Sequence, residues 1–411
     1  TSNRIDYTKK CVKSIRRHTP EPHEIIFVDN GSIDGTVKWL QGRIKENKNY
    51  RLIENKENVG VAKGRNQGIN LSQGEFVLLL DNDVVVSEGW LSGMLECLSH
   101  APAVGIVGPM TNNIGGPQQV FSDEYRSVND LGSYAAEFRK HYRHRRVSSG
   151  RIVGFCMLFK RALANQIGLL DESFGTGNFE DDDFCLRAAL AGYKNYIAGD
   201  VFIHHYGSRS FIGNTIDYNS PLSGNIKIFD EKWTGLDPNT PLGKKVAALN
   251  TIDKAEALSR KGKLDQAVAA LIEGIGCAPD EKVLYCHLAE MLLENKLYKE
   301  ALDAVDSLPP GAKEDLRFLD IVAYCKEGLG ETCDYADRIL EKDKAYATAL
   351  NLKGIIAHKQ GDDSAAEGFF LQAIESDPGY GEPYTNRGML KWAINQKEEA
   401  LDLLEKGFIL S

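Results

Sequence analysis

The chain of 411 residues is long enough for two or three domains, each with its own hydrophobic core. Hydrophobic residues make up 42% of it and charged residues 26%, which is typical of globular protein and argues against a disordered chain. The net charge of −9 argues against a protein that binds nucleic acid phosphates. No apolar run approaches the ~20 residues of a transmembrane helix, and no signal peptide is recognisable.

The eight cysteines are scattered along the chain and none forms a CxxC pair. This spacing favours neither a zinc site nor a disulfide framework. We therefore expect reduced, mostly buried thiols and a cytoplasmic protein.

The first predicted element is a helix over residues 6–15, where apolar residues recur at helical spacing. An α/β sheet normally opens with a strand before such a helix, so we expect the natural protein to continue upstream of Thr1 by at least one strand. The next predicted element is a strand over residues 24–28. Asp29 follows at its carboxyl end, in a turn rich in Asp, Asn and Gly.

A short third strand is predicted over residues 51–53, and a glycine-bearing loop then leads into a helix within residues 58–71. The beginning of such a helix attracts phosphate because its free N–H groups carry partial positive charge. Lys63 and Arg65 add positive charge here. The segment is therefore a candidate for contacting a phosphate-bearing ligand.

The strongest candidate for a functional site is a run of five apolar residues, 76–80, followed by Asp81 and Asp83. The apolar run predicts a strand buried on both faces of a parallel sheet. Ligands of open α/β sheets bind at the carboxyl ends of the strands. Two carboxylates one residue apart at that place suit Mg2+ or Mn2+ and, through the ion, a diphosphate. The alternative is an ordinary Asp/Asn turn.

A basic segment, residues 139–146, contains five cations and two histidines. This composition favours a solvated helix face or loop. The alternative is a positively charged rim that holds an anionic donor or acceptor.

Four consecutive acids, residues 180–183, begin a predicted helix that stops near Gly192. Acids stabilise the start of a helix through its dipole. Four adjacent like charges also repel, however, which raises a carboxylate pKa or calls for a cation. The cluster thus predicts a general base or a cation site. His204 and His205 end the last predicted strand and are candidate ligands.

Residues 219–246 are predicted to be a linker from their proline and glycine motifs. The sequence from 247 to 411 then repeats at intervals of 34, 34, 31 and 34 residues in three columns. The first column holds small residues: Ala255, Ala289, Ala323, Gly354 and Gly388. The second column holds large apolar residues: Leu271, Val305, Ile339, Phe370 and Leu404. A third column has the same spacing: Ala267, Ala301, Tyr335, Ala366 and Ala400. The pattern resembles about five tetratricopeptide (TPR) units, each a pair of helices.

Such repeats stack into an all-α solenoid whose concave groove binds extended peptides or other proteins. The alternative is an architectural role such as homo-oligomer formation.

Six ordered motifs before residue 218 resemble the inverting family-2 glycosyltransferases of GT-A fold. They are FVDNGSIDGT (27–36), NVGVAKGRNQGI (58–69), LLLDND (78–83), GLLDESFG (168–175), EDDDFCLR (180–187) and HHYGSRS (204–210). The resemblance implies a GT-A domain over residues 1–218, with a Rossmann-like mixed sheet and a nucleotide-sugar donor bound at its strand ends.

The resemblance also implies roles for individual residues in donor binding. Thr1 and Arg65 would contact the nucleotide and Asp29 its base. Asp81 and Asp83 would form the DxD metal site, and it stays open whether Asp81 binds the metal directly or mainly holds the ribose.

Two further roles are implied by family position. A histidine from the late loop, either His204 or His205, would complete the metal site. Asp181 would be the general base, although Asp182 and Asp183 stand close enough in sequence to be confused with it. A carboxylate suits this role because an acceptor hydroxyl must lose a proton as it attacks.

We therefore expect a metal-dependent glycosyltransferase that uses Mn2+ or Mg2+ and a nucleotide sugar, with UDP-sugar favoured. Its TPR units would recruit a protein acceptor or partner. One alternative is an inactive transferase-like scaffold, against which the intact acidic motifs argue. A nucleotidyltransferase is less consistent with the sequence, because residues 1–4 do not form the glycine-rich, basic loop that such an enzyme needs.

Overall fold

The computed structural model describes residues 1–207, 219–308, 313–331 and 334–410. It divides into two compact units, Thr1–Thr234 and Gly235–Ser411. The last three residues of the HHYGSRS motif, 208–210, lie outside the described residues. Among the described residues, no helix combines the length and apolar character needed to cross a membrane.

The first unit alternates helices and strands. Its helices are α1 (Ile5–His18), α2 (Thr36–Glu46), α3 (Val61–Leu71), α4 (Trp90–Ser99), α5 (Leu131–His141), α6 (Arg161–Ile167), α7 (Glu180–Leu190) and α8 (Asn219–Trp233). Its strands are β1 (Ile25–Asn30), β2 (Tyr50–Asn55), β3 (Phe76–Leu80), β4 (Val84–Val85), β5 (Val104–Thr111), β6 (Arg146–Ser148), β7 (Cys156–Lys160) and β8 (Lys194–His205).

The strands form the mixed sheet of a GT-A fold. β1 and β2 pair in parallel, and a larger sheet has the order β3-β7-β5-β8-β4, with β6 also paired to β8. β5 runs parallel to β8 but antiparallel to β7. The predicted α/β class with a mixed sheet is confirmed.

The strand before Asp81 differs from the prediction in one respect. β3 covers the five apolar residues as expected, but its described neighbour β7 runs antiparallel to it, with Leu80 opposite Cys156. An uninterrupted apolar run indicates that a strand lies within the core. It carries no information on the direction of the neighbouring strand, which explains why the expectation of parallel pairing was wrong.

Aromatic packing positions α7 against the sheet. Phe184 of α7 and Phe159 of β7 are both fully buried, with ring centroids 5.1 Å apart. β7 begins beside the carboxyl end of β3. The acidic start of α7 is thereby held near the residues that follow β3.

The segment predicted to be a linker, residues 219–246, contains α8 and the start of the next helix. Nδ2 of Asn225 donates to the carbonyl oxygens of Phe174 and Gly177, at 2.7 and 2.8 Å. Nε1 of Trp233 donates to Asp183 at 3.0 Å. Proline and glycine content reveals turns within such a segment, but not side chains that anchor a helix to a distant part of the fold.

The second unit consists of helix pairs in the described residues. Its helices are α9 (Pro241–Ser259), α10 (Leu264–Cys277), α11 (Lys282–Glu294), α12 (Tyr298–Asp306), α13 (Leu316–Gly328), α14 (Tyr335–Lys342), α15 (Ala347–Lys359), α16 (Asp363–Ser376), α17 (Gly381–Ala393) and α18 (Lys397–Leu410).

The repeating small and large residues pack against each other within a pair. A Cβ atom added to Gly354 of α15 would lie 2.4 Å from the ring of Phe370 in α16. A Cβ added to Gly388 would lie 2.9 Å from Cγ of Leu404. The small column therefore allows close helix crossing and the large column fills the gap, as the TPR pattern predicts.

The cysteines agree with the expectation of buried thiols. Among those that the structure describes, none forms a disulfide, and all but Cys277 are buried.

Candidate active site

The first unit contains a cavity of about 840 Å³ that runs along β1 and β3 and includes the residues at their carboxyl ends. This volume is within the range of pockets that hold a small-molecule ligand or cofactor. Six of the predicted site residues line it: Thr1, Arg65, Asp81, Asp83, Asp181 and His205. The fold thus brings together residues that are far apart in sequence.

Asp81, Asp83 and His205 form a cluster in which one ligand atom of each lies within 4.8 Å of the others. Asp81 follows β3, and its backbone N–H donates to the carbonyl of Phe155 at 2.8 Å. His205 ends β8 opposite Val84 of β4, which brings its imidazole to Asp83. Nε2 of His205 lies 3.4 Å from Oδ1 of Asp83.

The second nitrogen of His205 fixes its tautomer. Nδ1 lies 2.8 Å from the carbonyl oxygen of Asn113, which can only accept, so Nδ1 carries a proton and Nε2 is available to a metal. The ring also stacks on Phe155, with centroids 4.9 Å apart. Burial alone would lower the pKa of His205, but the hydrogen bond and charge of Asp83 raise it overall.

His204 lies outside this cluster. Its Nδ1 is 2.7 Å from the hydroxyl of Tyr125, and its ring contacts Tyr206 edge to face. Burial lowers the pKa of His204 to about 4, and the neighbouring His205 adds to the effect. Successive side chains of a strand point to opposite faces, which explains why only His205 faces the two aspartates.

The two carboxylates and one imidazole fit a divalent cation. Carboxylate oxygens suit Mg2+ and Mn2+, whereas an imidazole nitrogen suits transition metals and is uncommon for Mg2+. This mixed donor set therefore fits Mn2+ better than Mg2+. Three protein ligands also leave coordination positions for oxygens of a ligand.

Arg65 connects the metal cluster with the start of α7. Its Nη2 is 2.8 Å from Oδ1 of Asp81, and its Nη1 is 3.0 Å from Oε1 of Glu180. Nη2 also donates to the carbonyl of Gly154 at 2.7 Å. The guanidinium is mostly buried, and a buried arginine is always charged. It therefore compensates two acids at once.

The four acids of α7 have different surroundings. Asp181 lines the cavity, and its oxygens accept from the backbone N–H groups of Gly154 (2.8 Å) and Asp182 (3.1 Å). Asp182 pairs with Nε of Arg151 at 2.7 Å. Asp183 is fully buried between Arg187, Lys232 and Trp233. Asp181 is thus the aspartate of this run that lines the cavity.

Glu180 also lines the cavity and is almost fully buried. Its Oε2 has no hydrogen-bond partner among the described residues. Burial raises the pKa of Glu180 to about 7, and the negative charge of Asp181 adds to the effect. Repulsion between neighbouring acids, inferred from the sequence, is therefore present at this position.

Thr1 and Asp29 occupy different positions relative to the cavity. The amino group of Thr1 donates to the carbonyl of Val28 at 2.7 Å, and its hydroxyl lies 3.2 Å from that of Thr8. The carboxylate of Asp29 is fully buried and accepts from N–H and Oγ of Ser32, at 2.8 and 2.6 Å. In this structure, Asp29 therefore shapes the loop after β1.

Sequence reasoning missed Gly154. Its N–H binds Asp181 and its carbonyl binds Arg65. A Cβ atom at this position would lie 2.6 Å from Nη1 of Arg65 and 3.3 Å from Cβ of Asp181. Its only signal was a glycine within a mostly apolar run, residues 152–159, where a glycine often marks a close approach by another group.

The fold of the first unit is of the GT-A type. Residues 1–168 match the family described as Glycosyl transferase family 2, and residues 334–381 match a tetratricopeptide repeat family. The first unit thus carries a segment that matches glycosyl transferase family 2, and the second unit carries a segment that matches tetratricopeptide repeats.

Individual relatives cover different shares of the chain. An uncharacterized protein of Sinorhizobium fredii is 29% identical over 51% of this chain and 24% of its own length. Glycosyltransferase GlyG of Streptococcus pneumoniae is 26% identical over 55% of this chain and 75% of its own length. A crystal structure of GalNAc-T7 with UDP, GalNAc and Mn2+ has a TM-score of 0.43 and 17% identity, covering 56% of this chain and 46% of that one. The chain thus spans about a quarter of the Sinorhizobium protein.

Proposed function

We propose that this protein is a metal-dependent glycosyltransferase that moves a sugar from a nucleoside-diphosphate donor to an acceptor hydroxyl with inversion. The observation that carries the proposal is the arrangement of one cavity. It is lined by the Asp81, Asp83 and His205 cluster and by Asp181, and Arg65 and Gly154 connect the two.

In this proposal, Asp81, Asp83 and His205 hold Mn2+ or Mg2+. The bound cation would act as a Lewis acid that stabilises negative charge on the departing diphosphate. Arg65 orients Asp81 through its 2.8 Å ion pair and adds positive charge to the same region. Thr1 lines the nucleotide side of the cavity, and UDP is the favoured nucleotide.

Asp181 is proposed as the general base. The acceptor oxygen forms a bond to the anomeric carbon as the bond from that carbon to the diphosphate oxygen breaks, and the hydroxyl proton passes to a carboxylate oxygen of Asp181. The backbone N–H groups of Gly154 and Asp182 donate to its two oxygens and fix the direction of the carboxylate. A single displacement of this kind inverts the anomeric configuration.

We also propose that the second unit recruits a protein acceptor or partner. Side chains from the first helices of three successive units form one polar network. The hydroxyl of Tyr324 accepts from Asn351 at 2.9 Å, and Glu382 accepts from the hydroxyl of Tyr380 at 2.7 Å and from Asn351 at 3.1 Å. Asn351 is fully buried in this network, whereas Glu382 is exposed, and its carboxylate suits the backbone N–H groups of an extended peptide. A cytoplasmic location is proposed with it, supported by the absence of disulfides among the described cysteines.

A panel of nucleotides tested with and without Mn2+ or Mg2+ examines the donor site directly. We expect UDP to raise the thermal unfolding midpoint only when metal is present, because a ligand that binds the folded state stabilises it. Metal-dependent hydrolysis of one nucleotide sugar would then identify the sugar. Failure of every nucleotide to bind would contradict the enzyme and favour the transferase-like scaffold.

The recruiting role has a separate test. Replacing the exposed Glu382 with Gln should raise KM for a protein acceptor and leave donor hydrolysis unchanged. An equal effect on both reactions would point to general destabilisation and contradict recruitment.

A further inference from the structure

The exposed side of α1 carries a row of cations. Lys9, Lys13 and Arg17 follow one another at intervals of four residues and Arg16 lies beside them, which places all four along one side of the helix. All four are exposed. The opposite side of α1 is buried through residues such as Cys11 and Ile15. The cations thus extend over about 12 Å of helix, at 1.5 Å per residue.

The neighbouring helix α2 extends this surface. A shallow cavity of about 280 Å³ between α1 and α2 is lined by these four cations together with Trp39 and Arg43. The guanidinium of Arg43 lies over the indole of Trp39, 5.7 Å from the ring centroid. We call this surface, formed by Lys9, Lys13, Arg16, Arg17, Trp39 and Arg43, the α1–α2 basic face.

The cations of the α1–α2 basic face are not explained as ion-pair partners of nearby acids. Arg43 pairs with Glu46 at 2.6 Å, but no carboxylate in the described part of the chain forms an ion pair with Lys9, Lys13, Arg16 or Arg17. Like charges four residues apart destabilise a helix. The helix dipole favours cations in the last turn, which accounts for Arg16 and Arg17 but not for the two lysines.

The charge of this face is opposite in sign to the net charge of the whole chain. The net charge is −9, yet α1 has five Lys or Arg residues against Asp6, and α2 has three against Glu46. Such asymmetry gives the molecule one surface that is attracted to an anionic layer while the remainder is repelled. Attraction and repulsion together orient the protein on such a layer.

We propose that the α1–α2 basic face docks onto a membrane surface rich in anionic phospholipid. A site for one small phosphate would gather donors in an enclosed pocket, whereas these cations are exposed and spread along the helix. Clusters of Lys and Arg bind anionic headgroups in this way. A tryptophan beside them suits the headgroup region, where an amphipathic ring contacts both water and lipid.

The side of α1 opposite the basic face forms part of the wall of the cavity in the first unit. Thr8 and Cys11 of α1 line that cavity, and Nζ of Lys10 contacts the hydroxyl of Tyr206, the residue after His205. A helix that forms part of the cavity wall therefore also carries the basic face. The inference goes beyond the proposed transferase activity and does not depend on it.

Co-sedimentation of the full chain with vesicles tests the proposal. Vesicles of neutral phosphatidylcholine are compared with vesicles containing about a third phosphatidylglycerol. We expect binding to the anionic vesicles alone, weakening as NaCl rises from 50 to 300 mM because salt screens exposed charges. The variant K9Q/K13Q/R16Q/R17Q should bind at least a hundredfold more weakly, since each cation near such a surface contributes about fivefold.

A matched control keeps the test specific. K261Q/K263Q/K282Q/K299Q removes the same charge from exposed lysines of the second unit and should bind like the unchanged protein. Far-UV circular dichroism and the thermal unfolding midpoint, measured without ligand, report whether each variant is folded. Equal loss in both variants, or equal binding to neutral vesicles, would overturn the proposal. Displacement by inorganic phosphate beyond that by NaCl of equal ionic strength would overturn it in favour of a discrete phosphate site.

Discussion

Nη1 of Arg65 lies 3.0 Å from Oε1 of Glu180, and this ion pair joins α3 to the first residue of α7 across 115 positions of sequence. The other end of the guanidinium reaches Asp81. A single side chain therefore sets the separation between the residues proposed to hold the donor and the helix that carries the proposed base.

Replacement of Arg65 should affect both stability and donor binding. We expect Arg65→Met to lower the free energy of unfolding by about 3 kcal/mol, because removing one partner leaves a buried acid uncompensated. Arg65→Lys should lose less, but a lysine cannot reproduce the fork that contacts two carboxylates. Urea unfolding and UDP titration measure the two effects.

Lys63→Met is the matched control for Arg65, because Lys63 is exposed on the same helix and, unlike Arg65, does not line the cavity. It should leave both measurements unchanged. If Arg65→Lys binds donor as tightly and is as stable as the unchanged protein, the contact of Arg65 with two carboxylates contributes to neither property.

Asp181→Asn should abolish most of the transfer while the donor still binds. An amide is isosteric with the carboxylate but cannot accept the proton, and general base catalysis typically contributes 10²- to 10⁴-fold. We therefore expect kcat to fall by about that factor with little change in donor affinity. Initial rates and a UDP titration on the same sample separate these effects.

Asp182→Asn tests the alternative that the neighbouring acid is the base. Asp182 is engaged by Arg151, so its replacement should reduce kcat far less than that of Asp181. The reverse order of the two variants would transfer the role to Asp182.

His205→Gln should weaken metal binding, whereas His204→Gln should not. Only His205 lies in the cluster with Asp81 and Asp83, and loss of groups that hold or orient a metal commonly costs 10- to 100-fold in affinity. Titration with Mn2+ in the presence of UDP, followed by thermal unfolding, gives the apparent affinity. Similar losses in both variants would argue that the whole end of β8 is disturbed.

A buried acid of the second unit predicts a pH dependence of stability. Burial raises the pKa of Asp320 to about 7, with Glu290 and Glu382 adding to the effect, against a hydrogen bond from Thr348. The folded state therefore binds a proton more tightly than the unfolded chain between about pH 4 and 7. Linkage then requires that this contribution to stability is present at low pH and is lost as pH rises through 7.

Asp320→Asn should remove this dependence. We expect it to raise the free energy of unfolding at pH 8 by roughly 1 to 3 kcal/mol, since a tenfold change in a protonation equilibrium is worth about 1.4 kcal/mol. Near pH 5 the two proteins should differ less than at pH 8, because most of the window from about pH 4 to 7 lies above pH 5. Urea unfolding of the full chain at both pH values gives the comparison, and a difference that is larger at pH 5 would contradict the assignment.

The order of motifs was sufficient to predict the fold class. The position of Asp81 and Asp83 after β3 and the acidic start of α7 were also predicted, because an apolar run that ends in acids and acids at a helix start are local signals. That the two aspartates bind a metal stays a prediction. The choice between His204 and His205 was left open because it depends on the register of β8 against β4, which pairs His205 with Val84. Register is a long-range property that a single sequence does not reveal.

The contacts of Asp29 and Gly154 were likewise not predicted from the sequence. Asp29 was expected at the nucleotide base, yet its oxygens bind Ser32 three residues later. Gly154 binds Arg65 and Asp181 through its backbone, so the residue type indicates only that a side chain would not fit there. Whether Asp29 contacts a base when donor is bound stays a prediction.

The contacts of α8 bear on where a separately expressed transferase fragment must stop. Asp183 is fully buried, and two of its partners, Lys232 and Trp233, belong to α8. A fragment cut at residue 218 would leave this carboxylate with Arg187 alone and would expose the surface that Asn225 covers. A fragment that runs through Thr234 keeps all of these contacts. An expression plasmid for the catalytic unit therefore has to include α8, although its composition predicted a linker.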